Sequence, residues 1–255
     1  MLLNINSLTG RIILAADGEL GKVDEFYFDD RDWQIRYMVA ETGNWLLNRK
    51  VLIAPAAFKR PGPGSEPFAV ALTRDRVRNS PDIDTKKTVS RRHELELHQY
   101  YSWPPYWGGG FCAGGSSVGI TFTPAIEKNA KTDEEAADRQ AAEDPHLRGT
   151  RAVTGYTLHA TDGPLGRVED YITDLDGWNI RYLVVDTGLR LPGRKALVSP
   201  HWIKSLVWKT SEIFVDLTQE AIRKSPEFDP ATPVSEDYQS AIYDHYGRPR
   251  RERVR

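Results

Sequence analysis

Apolar and polar residues alternate along this chain in short bursts, and little of it follows a helical period. Val23 to Phe28 alternates as a half-buried strand does. Trp33 to Ala40 is the clearest strand, with Trp33, Ile35, Tyr37 and Val39 on one face, and Trp178, Ile180, Tyr182 and Val184 repeat it. Ser7 to Leu14, Phe68 to Leu72 and Ile213 to Leu217 are further strand candidates. Lys50 to Ala54 and Lys195 to Ser199 are short apolar runs, each stopped by a proline. Turns fall at Asp17-Gly18, Asp29 to Asp32 and Asp174 to Gly177. Thr73 and Thr218 stand where a hydroxyl would cap a short helix, and Ser90 and Ser235 stand before a second one. In the second case the helix runs through Ala241, Ile242 and Tyr246 to a terminating Gly247. The pattern predicts an all-β protein with short helices, its turns spaced as in a small barrel or sandwich.

The two sets of elements are one pattern written twice. With Gly10 placed over Gly155, the sequence aligns without a gap at an offset of 145 residues. Asp17-Gly18 meets Asp162-Gly163, and Leu20-Gly21 meets Leu165-Gly166. Trp33 meets Trp178, and Ile35-Arg36-Tyr37 meets Ile180-Arg181-Tyr182. Thr42-Gly43, Arg49-Lys50, Pro55, Leu72-Thr73 and Ser80-Pro81 all find identical partners. A period this long marks a tandem domain, not a solenoid, and each copy is expected to bury its own core. The expected division is a first domain over 1–107, a Gly-rich then acidic linker over 108–147, a second domain over 148–247 and a basic tail over 248–255. Such a linker would let the copies move or exchange between chains.

Charge and cysteine usage narrow the function. Among 255 residues, 34 Lys and Arg face 36 Asp and Glu, a net charge of -2, which disfavours a broad nucleic-acid footprint. No apolar run reaches membrane-spanning length, and no cationic segment precedes an apolar core at residues 1–9. With one cysteine, Cys112, no intramolecular disulfide can form. The expected setting is the cytoplasm, membrane-peripheral at most.

The repeated residues carry a family resemblance. Asp17-Gly18, Leu20-Gly21-Lys22-Val23, Trp33, Ile35-Arg36-Tyr37, Val39, Thr42-Gly43, Arg49-Lys50-Val51 and Pro55, with their counterparts in the second copy, resemble the PRC-barrel family. That family includes the cytoplasmic domain of the photosynthetic reaction centre H subunit and the C-terminal domain of a ribosome maturation factor. The resemblance implies a bacterial protein built of two small six-stranded β-barrels in tandem, each followed by a short helical tail. It marks Gly18, Gly21, Trp33, Tyr37, Gly163, Gly166, Trp178 and Tyr182 as the structural motif. It also implies barrels that dock onto partners without chemistry of their own. Here no spanning helix precedes the first barrel, and the domain before the second barrel is the first one, so neither relative's role transfers.

Candidate chemistry is sparse. The Asp-Gly-x-Leu-Gly run lacks the context and the Lys-Ser/Thr of a phosphate loop and reads as a hairpin. In the acid pairs Asp24-Glu25 and Glu169-Asp170, neighbouring side chains point to opposite faces, which leaves one of each in solvent. The six histidines show no metal-binding spacing. Arg36 and Arg181 face away from the Trp-Tyr side of their strand, where each would pair with an acid, stack on a ring or touch a partner. Tyr100, Tyr101, Trp103, Tyr106 and Trp107 form a rigid aromatic-proline stretch suited to folding over a barrel, to a dimer interface or to docking. The expectation is therefore a non-enzymatic protein-binding or assembly module without cofactor or metal, its partner a protein or a second copy. A membrane-peripheral factor of photosynthetic electron-transport complexes, and an enzyme or ligand-binding protein with a site between the barrels, are the alternatives.

Overall fold

A computed structural model describes residues 1–62, 64, 66–81, 89–107, 146–188 and 193–249. Most of the 108–147 linker and of the 248–255 tail, together with Cys112, lie outside them. The protein is mostly β, in two sheets with few short helices. In the first copy β2 (Ile12–Ala15), β3 (Gly18–Asp29), β4 (Ile35–Glu41), β5 (Lys50–Ile53) and β6 (Phe68–Ala69) lie in the order β5-β4-β3-β2-β6. In the second, β8 (Thr157–Ala160), β9 (Gly163–Asp174), β10 (Ile180–Asp186), β11 (Lys195–Val198), β12 (Ile203–Val207) and β13 (Glu212–Val215) lie in the order β11-β10-β9-β8-β13-β12. Short helices follow each sheet: α1 (Arg74–Arg78) and α2 (Arg91–Tyr101) in the first copy, α4 (Gln219–Arg223) and α5 (Glu236–His245) in the second. Thr73, Ser90, Thr218 and Ser235 each accept a hydrogen bond from a first-turn N–H, so all four expected caps form.

Two expected strands shift. The first strand begins at Ile12 rather than Ser7, because Ile5 to Gly10 turns back on itself through Leu8 N–H to Ile5 O (2.9 Å). Trp33 and Trp178 precede their strands instead of opening them, each in the left-handed region (φ 59° and 54°). Strand β4 then buries Tyr37, Met38, Val39 and Ala40 in succession, so it is covered on both faces rather than one. The repeated glycines permit a close approach of β3 to the end of β4, and of β9 to the end of β10. A Cβ on Gly21 would lie 1.9 Å from Glu41 O, and one on Gly166 the same distance from Asp186 O.

The copies do not stand apart. β1 (Leu2–Asn4) leaves the first copy and pairs with β9, setting Leu2 against Asp174 and Asn4 against Ile172. β7 (Leu147–Gly149) does the converse on β3, setting Leu147 against Asp29 and Gly149 against Tyr27. Every member of one pairing lies 145 residues from its counterpart in the other, so the exchange is reciprocal about a pseudo-twofold axis. Near that axis Gln34 bridges Asn179, Ile35 N–H bonds Trp178 O, and Ile180 N–H bonds Trp33 O, the last two both at 2.8 Å. Trp178 packs in the first copy's aromatic cluster, 4.8 Å from Phe58 and 5.9 Å from Phe68. The expectation that each copy buries a core of its own is thus corrected: the cores are contiguous across exchanged strands.

In the acid pairs the inner members differ in depth, Asp170 buried and Glu25 half-buried. Asp170 is buried and accepts from the N–H of Asn6 (3.0 Å) and of Tyr171 (2.7 Å). Glu25, its counterpart, accepts from Arg151 N–H (3.4 Å), at the start of α3 (Thr150–Val153). The outer members, Asp24 and Glu169, pair with Lys50 (2.7 Å) and Lys195 (2.6 Å). Burial pushes both inner carboxyls up, Asp170 to about 6, against the pull of its N–H donors and Lys195.

Two predictions follow from this seam. A protease site engineered between Gly114 and Gly115 and cut after folding should leave both halves in one species on size-exclusion chromatography; separation into two would contradict the exchange. A raised carboxyl stabilises the fold below its ordinary pKa near 4 and loses that contribution as pH climbs through about 6. At roughly 1.4 kcal/mol per unit the loss at Asp170 is on the order of 3 kcal/mol. Asp170→Asn, which keeps an acceptor and removes the charge, should flatten that part of the profile when urea unfolding is compared at pH 4.5 and 7.5. An unchanged difference between the two pH values would be inconsistent with this assignment.

Candidate functional site

The aromatic stretch that follows α2 is folded onto its own copy. Arg91, Glu94, His98 and Tyr101 share the inner stripe of the helix, at spacings of three and four residues, and face Tyr37 of β4. Glu94 is fully buried. Its Oε1 accepts from the hydroxyls of Tyr37 (3.1 Å) and Tyr106, while the Arg91 guanidinium stands 2.8 Å from Oε2. His146, returning from the linker, brings Nε2 to 3.4 Å from Oε2 and 3.1 Å from the Tyr106 hydroxyl. The Tyr37 hydroxyl and His98 Nε2 are 2.9 Å apart, and His98 Nδ1 lies 3.1 Å from Pro104 O. A polar group buried this deeply is tolerated only where such partners surround it. Burial raises the Tyr37 and Tyr106 phenols, helped by Glu94, so both stay neutral donors. It lowers His98, partly offset by Glu94.

The remaining aromatic residues close over this cluster. Arg36 stacks on Tyr106 (4.0 Å to the centroid) and pairs with Asp32, with Asp29 at 3.8 Å. Arg91 lies over Trp107 at 4.3 Å. Trp103 stacks on Tyr101 at 4.2 Å, and the Tyr100 hydroxyl donates to Arg76 O (2.7 Å). Arg181 has the plainer setting, half-buried and 3.9 Å from Asp174. Arg36, Tyr100, Tyr101, Trp103, Tyr106 and Trp107 therefore converge on one face of the first copy, and Arg181 lies apart from them. In the second copy the aligned residues are Gln239 for Glu94 and Tyr243 for His98, and Trp202 fills the place of Ala57 by packing on Tyr243 and Tyr246. One copy is plugged by ions and hydroxyls, the other by rings. Among the described residues no group of three or more His, Cys, Asp or Glu side chains is arranged to hold a metal.

An open site lies elsewhere, at the seam. A groove of about 480 Å³ runs between the first copy's turn, Asp30 to Trp33, and the second copy's Pro200, His201, Ile203, Leu206 and Trp208. Arg148 of the exchanged β7 forms part of its frame, 2.9 Å from Asp30 and 3.7 Å over Trp208. The pseudo-twofold mate of this place is occupied: Phe58 packs edge-on against Trp178, and Arg60 reaches Asp176 (3.7 Å). The residue aligned with Phe58 is Ile203, and the residue aligned with Phe68 is Ile213. Two smaller side chains leave space on this side of the axis.

No protein-family profile matches the chain, and no curated protein matches it. Sequence reasoning placed the aromatic stretch but missed the groove, Glu94 and His146. A signal was present: carried back before Gly10, the same alignment sets Leu2 over Leu147, which would have drawn attention to both exchanged strands.

Glu94→Gln keeps the shape of the cluster and leaves Arg91 without its carboxylate. It should cost about 3 kcal/mol in chemical unfolding, the scale for breaking one side of a buried pair. A cost below 1 kcal/mol would show that Arg91 is already solvated.

Proposed function

We propose that this chain is a tandem PRC-type barrel protein that works as a non-enzymatic protein-binding module, with the seam groove as its docking surface. The repeated motif supports the family reading. The barrel reading is supported by the turn Pro200–Trp202, which carries β11 straight into β12 and so links the two ends of the second sheet. The observation that carries the docking role is the asymmetry of the seam. Two pseudo-equivalent places exist, Phe58 fills one, and the other remains an open groove lined by polar and apolar side chains together. Leu206, Ile203 and Trp208 line it beside the largely buried Trp33, and Asp32, Arg31 and His201 stand at the rim. Its volume suits one or two large side chains of a partner. Both copies contribute to it, which gives the duplication a use beyond two separate barrels.

The test is affinity capture from native lysate with tagged wild-type protein and with Leu206→Glu, which sets a charge in the groove. Wild type should retain one stoichiometric protein partner and the variant should lose it. A partner held equally by both, or a small molecule recovered in place of a protein, would count against this function.

A further inference from the structure

The loop between β4 and β5 carries the most exposed large apolar side chain among the described residues, Leu47 at 93 %. The loop is short and tied down. Asn48 N–H bonds Gly43 O (2.8 Å), Arg49 N–H bonds Leu46 O (3.0 Å), and the Trp45 indole N–H bonds Leu20 O (2.7 Å). Its backbone is also strained, since Leu47 and Asn48 both have φ 54°. Asparagine accepts that conformation readily, whereas leucine does so at a cost. A leucine kept in a left-handed position and pointed at water asks for a use.

Its surroundings supply one. Arg74 and Arg78 lie over the Trp45 ring, at 4.4 and 5.7 Å, and neither has a carboxylate partner among the described residues. Trp45 is two residues from Leu47, so these cations lie within about a Debye length of the tip. Of the nearby acids, Glu41 sits opposite Lys22 in the ladder, Glu19 lines the same shallow pocket, Asp17 accepts from the Arg74 backbone N–H (2.8 Å), and Asp75 follows Arg74 in the helix. The loop and its neighbours bring together an apolar side chain, an amphipathic indole and two guanidiniums, the side-chain types that meet acyl chain, interface and phosphate in a bilayer leaflet.

We propose that this loop is a lipid-contact tip, with Leu47 entering the headgroup region of an anionic bilayer and Arg74 and Arg78 meeting its phosphates. A lone leucine buries too little area to hold a protein partner, whereas lipid charge adds to it through each cation. The tip is a different surface from the seam groove, and either would stand without the other.

The experiment is co-sedimentation of the full chain at low salt with vesicles of phosphatidylcholine alone or mixed with phosphatidylglycerol. Wild type should bind the mixed vesicles and not the neutral ones. Leu47→Asn suits the left-handed backbone, so it should keep or raise Tm while binding falls about ten-fold. Arg74→Gln with Arg78→Gln should lose binding to a similar degree. Absence of wild-type binding to the anionic vesicles would overturn the proposal, as would Leu47→Asn binding like wild type.

Discussion

The structure depends on two backbone hydrogen bonds that cross between the copies, from Ile35 N–H to Trp178 O and from Ile180 N–H to Trp33 O. Each is possible because a tryptophan adopts a left-handed turn just before β4 or β10, the second strand from one edge of its sheet. That turn points the tryptophan carbonyl at the other copy, and at Trp178 it also sends the indole into the other copy's aromatic cluster. A large ring in that conformation costs backbone strain, which packing and an otherwise unmet N–H donor offset. Once the two turns are back to back, the distal halves of β3 and β9 lie within reach of the opposite copy's first residues. Exchange of β1 and β7 then satisfies strand edges that would otherwise face water.

Reciprocal exchange turns a duplication into an internal dimer, and a duplicated dimer is free to lose its symmetry. The divergence falls at matched places. Where the first copy has Ala57, the second has Trp202, and the helix above changes from Glu94 and His98 to Gln239 and Tyr243. Where the first has Phe58, the second has Ile203, and a groove opens across the axis. A homodimer could not place a ring on one side and a cavity on the other, because one sequence would supply both.

The β content, the four helix caps and the repeat register were legible because each rests on local chemistry: alternation, a hydroxyl before a helix, glycine in a tight hairpin. Tyr37 lies within β4, and Gly21 and Gly166 lie where a Cβ would strike the end of the neighbouring strand. The tryptophans misled because periodicity treats residue 33 as in phase with 35, 37 and 39, whereas the left-handed turn breaks the phase between 33 and 35. The inner acids misled for a related reason. Alternation correctly put one member of each pair inward, but with no second copy in view an inward acid had no partner to meet. The partner is a backbone N–H over a hundred residues away, at Asn6 or Arg151.

The same limit explains why Glu94 was invisible. On a helix stripe with Arg91, His98 and Tyr101 it looks like one more surface acid, and nothing in its own segment says that Tyr37 lies beneath it. What buries it is tertiary: Tyr106 and Trp107 close from one side and His146 from the other. Tyr106 and Trp107 stand just before the long linker and His146 lies at its end, so the plug fastens both ends of the connection between the copies. The aromatic stretch is therefore best understood as the first copy's closure, equivalent in place to Trp202 and Tyr243 in the second. The asymmetry of the repeat reaches further than the seam. The first copy is closed by residues from outside its repeat and the second from within, and the seam groove lies outside both closures.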